Sequence, residues 1–169
     1  PTRRSSDLPT LEGIRLADLT GLGAAQKIAV GIVEDLRAWD AEELAWRDVH
    51  RGLIVAGPPG CGKTELARAM AREPDIHLEA TSYGDWQAAG HLGLMLAAMR
   101  KSFKAAAHNA PSVLFIDEID AFGSRSGSQT SSNKSYDEKV IAALLEQLDG
   151  VGSREGVVVI GACNHLDRI

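Results

Sequence analysis

Gly57-Pro58-Pro59-Gly60-Cys61-Gly62-Lys63-Thr64 carries the pattern G-x-x-x-x-G-K-[ST], and its flanks decide the fold. On one side, Gly52-Leu53-Ile54-Val55-Ala56 is a short apolar run that reads as a buried strand. On the other, Glu65 to Arg72 has helix-forming composition, with Leu66, Ala69 and Met70 on one face. Strand, glycine loop and helix form the context in which this pattern binds phosphate. Gly57, Gly60 and Gly62 are expected to take φ > 0 and turn backbone N–H groups around an anion. The helix adds the positive end of its dipole. Lys63 would reach the β- and γ-phosphates of a nucleoside triphosphate, and the Thr64 hydroxyl would hold Mg²⁺. The contact stretch for the nucleotide is read as Pro58, Pro59, Gly60, Cys61, Gly62, Lys63, Thr64 and Glu65.

Outward from the loop, apolar runs alternate with helical patterns. Ala24 to Ala38 places Ile28, Ile32, Val33 and Leu36 at helical spacing, and Asp40 to Val49 reads as a short helix or irregular. Pro74 ends the helix after the loop, and Ile76 to Ala80 reads as a second strand. Asp85 to His108 is a helical region, with Met95, Met99 and Phe103 on its core side. Ser112 to Asp117 is a buried strand ending in acid, and Gly123 to Asn133 is a polar loop. Lys134 to Leu148 is a helix with Val140, Ile141, Leu144, Leu145 and Leu148 facing inward, stopped by Asp149-Gly150. Gly156 to Gly161 is wholly apolar and is expected at the sheet centre. The predicted fold is α/β, a three-layer sandwich with a parallel sheet and helices on both faces.

The carboxyl edge of such a sheet is where ligands bind. Asp117-Glu118 ends one strand there, so Asp117 would hold Mg²⁺ and Glu118 would take a proton from an attacking water. Asn164 lies just past the Gly156–Gly161 strand, which should neighbour the Asp117 strand. Its amide could orient water or touch the γ-phosphate without competing for the metal. Asp120 reads equally as a helix cap, a loop acid or a functional carboxylate. Glu118, Lys63 and Asn164 are thus the candidate catalytic residues, and Thr64 and Asp117 the candidate metal ligands.

The 169 residues make one domain with a substantial core. Hydrophobic content of 44% and charged content of 24% are ordinary for a soluble protein. A net charge of −5, with no basic-aromatic stripe, argues against nucleic acid as partner. Two cysteines, one inside the loop, point to a reducing, cytoplasmic setting. There is no membrane segment or signal peptide, and no cluster with zinc-site spacing such as His-Glu-x-x-His. Residues 1–15 read as a disordered tail or artefact, and 16–169 as the folded domain.

GPPGCGKT, VLFIDEIDAFGSR and VVVIGACNH, in this order and spacing, resemble the AAA+ ATPases. They look most like the clade of AAA proteases, katanin-like severing enzymes and unfoldases. The resemblance runs from about Leu16 to Ile169. It implies the P-loop NTPase sandwich of the large subdomain, lacking its C-terminal part and helical lid. It implies ATP and Mg²⁺ as cofactors, with Leu19, Thr20 and Gly21 framing the adenine. It also implies a hexameric ring completed by a neighbour's arginine finger and acting on a protein substrate. By itself the chain is then expected to bind nucleotide weakly and hydrolyse it poorly. Departures are Cys61 and Cys163, each where the clade has Thr, and His91-Leu92-Gly93 where it has an aromatic-led gripping loop. Trp86 lies close enough to stand in for that aromatic, and His91 or Trp86 could equally be a helix-packing group. A thiol at Cys61 makes the loop a target for oxidation.

Two other classes compete. A GTPase needs Asn-Lys-x-Asp, and Asn133-Lys134 continues as Ser135-Tyr136. A P-loop kinase has little need of an Asp-Glu strand end beside an Asn-bearing strand. A nucleotide-gated scaffold that binds ATP without productive turnover remains the alternative.

Overall fold

A computed structural model describes residues 13–124, 131–150 and 154–165. Helix α1 (Ala24–Asp40) precedes strand β1 (Gly52–Ala56), and α2 (Lys63–Arg72) follows the glycine loop. Then come β2 (His77–Ser82), α3 (Tyr83–Ala88), α4 (Leu92–His108) and β3 (Ser112–Asp117). The short α5 (Ala121–Ser124), α6 (Ser131–Asp149) and β4 (Val157–Cys163) complete the order. The four strands run parallel in the spatial order β1-β4-β3-β2.

The period-2 alternation of the strands divides the core. Val113, Phe115, Val158, Ile160 and Ala162 face one way, onto Ile32, Val33, Leu36, Leu66 and Met70 of α1 and α2. Leu114, Ile116, Val157 and Val159 face the other, onto Trp86, Met95, Met99, Phe103, Phe122 and Val140. Helices cover both faces, as the parallel-sheet expectation requires.

Several local expectations are corrected. The helical region over 85–108 is two helices, because the chain turns at Gly90, where φ is +124°. Ser131, Ser132 and Asn133 begin α6 rather than closing a loop. Ile28 is exposed, and Ala29 takes the buried position beside Ile32 and Val33. Strand β1 pairs only with β4 among the described residues, which leaves its other edge unpaired, and its Ile54 is 53% exposed on the sheet face. Ile141 and Leu145 are likewise exposed, and they line the same apolar groove as Ile54. Of the predicted tail, residues 1–12 lie outside the described residues. Ile14 O, by contrast, accepts from Arg72 Nη1 at 2.8 Å.

Candidate nucleotide site

The parallel register brings the ends of β1, β4 and β3 to one edge. Ala56 pairs with Cys163, Ile116 with Gly161, and Ser82 with Asp117. The first ladder continues one residue into the glycine loop, where Gly57 N donates to Cys163 O at 3.1 Å.

Within the loop Gly60 and Gly62 have φ of +79° and +92°, the left-handed region where a side chain is strained. Gly57 is glycine for a different reason than expected: a Cβ there would sit 2.8 Å from Cys61 Sγ. Cys61 N turns onto Pro58 O. The N–H groups of Gly60, Gly62, Lys63, Thr64 and Glu65 find no backbone acceptor among the described residues. These donors, the first ones of α2 included, converge at a helix start with no side-chain cap. Such a nest is suited to a phosphate, and the donor set therefore fits the triphosphate that the sequence implies.

Lys63 is only 7% exposed. Its Nζ donates to Gly57 O at 2.6 Å, Pro58 O at 3.1 Å and Asn164 Oδ1 at 2.9 Å. Two candidate catalytic residues separated by 101 positions in sequence thus touch through the β1–β4 pairing. Thr64 occupies the first turn of α2 and is half-buried. Asp117, also half-buried, ends β3 on the other side of β4, with Glu118 N donating to its Oδ1 at 2.8 Å. Two oxygen ligands flanking the phosphate loop suit Mg²⁺, which retains several waters.

Glu118 has φ of +58°, unusual for a side-chain-bearing residue. Such a conformation costs roughly 1–3 kcal/mol and concentrates at functional sites. It turns the exposed Glu118 carboxylate toward the start of α3, so that a Cβ on Gly84 would lie 3.4 Å from Oε2. Leu19 is buried in the α1–α2 core, whereas Thr20 and Gly21 are exposed beyond the turn Leu16–Asp18.

The ambiguous Asp120 is buried, and its Oδ2 accepts from the N–H groups of Asn164 at 3.3 Å and His165 at 3.2 Å. Sequence offered only its position three residues past the strand end, since the partners lie on another strand. Cys163 is buried; burial first and the Asp120 carboxylate second push its thiol pKa up, while the Lys63 ammonium pulls it down. Trp86 is 1% exposed, and its Nε1 donates to Ser102 Oγ at 3.2 Å, so of its two readings the structure bears out helix packing rather than substrate gripping. His91 is exposed at the N-cap of α4. Among the described residues no cluster of His, Cys, Asp and Glu could hold a metal by itself, and no helix is long and apolar enough to cross a membrane.

The chain is similar to the FtsH ATP-dependent zinc metalloprotease of Trieres chinensis, 34% identical over 92% of this chain and 24% of that protein. FtsH 2 of Sphaerobacter thermophilus is 35% identical over 99% of this chain and 26% of its own length. The chain therefore spans about a quarter of the curated relatives it matches. Among solved structures, the FIGL-1 AAA domain in complex with ADP superposes with a TM-score of 0.72 at 30% identity, over 92% of this chain and 50% of that one. Residues 53–169 match the family described as "ATPase family associated with various cellular activities (AAA)". With glycine loop, acidic strand end and Asn-bearing strand meeting on a parallel sheet, the chain belongs to the AAA family, as an AAA+ ATPase core resembling AAA proteases and katanin-like proteins.

Proposed function

We propose that this domain binds ATP with Mg²⁺ and hydrolyses it, within a ring whose neighbouring subunit supplies an arginine, to remodel or unfold a protein substrate in the cytoplasm. The observation that carries the reading is the buried Lys63, 2.9 Å from Asn164 Oδ1 and enclosed by the phosphate loop. Loop N–H groups and Lys63 would hold the β- and γ-phosphates. A phosphate oxygen that takes the ammonium competes with Gly57 O and Pro58 O, its present acceptors. Thr64 and Asp117 would hold the metal, which neutralises charge developing on the phosphates. Glu118 would accept the proton of the attacking water, and Asn164 would keep that water or the γ-phosphate in line. Leu19, Thr20 and Gly21 would frame the base. The ring and protein substrate rest on family membership. The two free cysteines support the cytoplasmic reading.

The test uses the full-length protein. Lys63→Ala should weaken ATP binding at least about tenfold, one charged phosphate contact being worth ~1.5–3 kcal/mol. Glu118→Gln should bind ATP normally and lose turnover by roughly 10²–10⁴ in released phosphate, the usual contribution of a general base. An intact protein that binds ATP without turnover would instead identify a nucleotide-gated scaffold.

A further inference from the structure

We propose that Asp120 is a positioning residue that sets Asn164 against Lys63; the inference rests on the hydrolytic reading above and assigns one more residue to it. The end of β4 is pinned from both sides. From β1, Gly57 N donates to Cys163 O. From the turn after β3, Ile119 N donates to Ala162 O at 3.0 Å, and Asp120 Oδ2 accepts from the next N–H groups, those of Asn164 and His165. A backbone acceptor could take the Ala162–Ile119 pairing no further, because the chain leaves the ladder there. Here a side chain supplies the acceptor, and a carboxylate can take two N–H groups on one oxygen.

Asp120 is 8% exposed, and burying a charge is costly unless it is hydrogen-bonded. Its Oδ2 reaches the β4 end, 44 and 45 residues on. With its backbone held, Asn164 presents Oδ1 to Lys63 Nζ at 2.9 Å. Close packing supports the geometry: a Cβ at Gly161 would lie 2.8 Å from Ile119 Cδ1, so the turn lies directly on β4. Asp120 acts on orientation, whereas the loop N–H groups that would bind phosphate do not depend on it.

The split between binding and turnover follows. In the full-length protein, Asp120→Ala should lower kcat about 10–100-fold, the range for supporting residues around a reacting centre. ATP Kd should move less than about threefold, since uniform binding is untouched. Asp120→Asn keeps an acceptor oxygen and should recover part of the loss. Asp120→Ala added to Asn164→Ala should cost nothing further, because the two act as a unit. Additive losses, or a weakened Kd with kcat intact, would overturn the proposal. If the wild-type protein binds ATP without turnover, the hydrolytic reading fails separately. Hydrogen exchange then decides: Asp120→Ala should expose the N–H groups of Asn164 and His165 while Asp120→Asn retains protection, and unchanged protection in the alanine variant overturns the positioning role.

Discussion

At the scale of single residues, the two thiols are chemically unequal. Cys61 is half-exposed, whereas Cys163 is buried, and burial first and the Asp120 carboxylate second push its thiol pKa up. Thiolate and access together set reactivity. Cys61 should therefore be alkylated first under native conditions at pH 8, at least about tenfold faster than Cys163, as peptide mapping would show. Bound ATP should protect it. The raised folded-state pKa of Cys163 also has a sign. Its contribution to stability is fully present below the unfolded thiol pKa and is lost as pH rises through the folded one. Unfolding free energy should thus fall on the alkaline side of the ordinary thiol range, and Cys163→Ala should lack that component in urea titrations. Glu118 shows a different residue-scale feature, a left-handed backbone at the candidate base. No sequence rule places a glutamate at φ of +58°, and the turn that carries Ile119 and Asp120 onto β4 imposes it.

At the scale of elements, periodicity located most helices and strands, while side-chain roles depended on what packed against them. Met95, Met99 and Phe103 lie on the buried face of α4 as their spacing implied. Trp86, on α3, could equally have been a gripping aromatic. Its ring instead lies edge-on to Phe122, with centroids 6.2 Å apart, inside the same cluster. Trp86→Ala should destabilise the domain by about 3–5 kcal/mol in urea unfolding, the cost of a large core cavity. Loss of substrate handling without loss of stability would return it to the gripping role. Gly90 divides the 85–108 region because its φ of +124° breaks the helix. A glycine inside a helical pattern signals a cost but not a break, so the sequence left the division open.

For the molecule as a whole, the two faces of the sheet are closed unequally. The α1–α2 face buries Val55 and the alternate residues of β3 and β4. On the other face, the apolar groove beside β1 leaves Ile54 and Leu145 53% and 51% exposed. The buried reading of Ile54 from its apolar run and of Leu145 from helical spacing was right about polarity and wrong about burial. Ile54→Thr and Leu145→Gln should shift stability by less than about 1 kcal/mol, because little apolar area leaves water at either site. Met99→Ala, by contrast, should cost about 2–5 kcal/mol by the same measurement. Arg154 and Arg51 also line this groove, and burial together with Arg51 lowers the Arg154 pKa while Asp149 opposes.

The sequence by itself determined the phosphate loop, the acidic strand end, the Asn-bearing strand and the parallel α/β class. These signals are local: glycines where a loop must wrap an anion, and apolar runs of strand or helix period. It also implied that the strand just before Asn164 neighbours the strand ending in Asp117, and β4 does pair with β3. Tertiary structure alone decided that β4 also pairs with β1, which brings Asn164 onto Lys63. It alone decided that Asp120 serves the end of β4, that Trp86 is core and that Ile54 is open to solvent. Each of these depends on which strand or helix lies alongside, across tens of residues of chain. Pairing of that kind is set by the packing of the whole sheet and is not encoded in any local pattern.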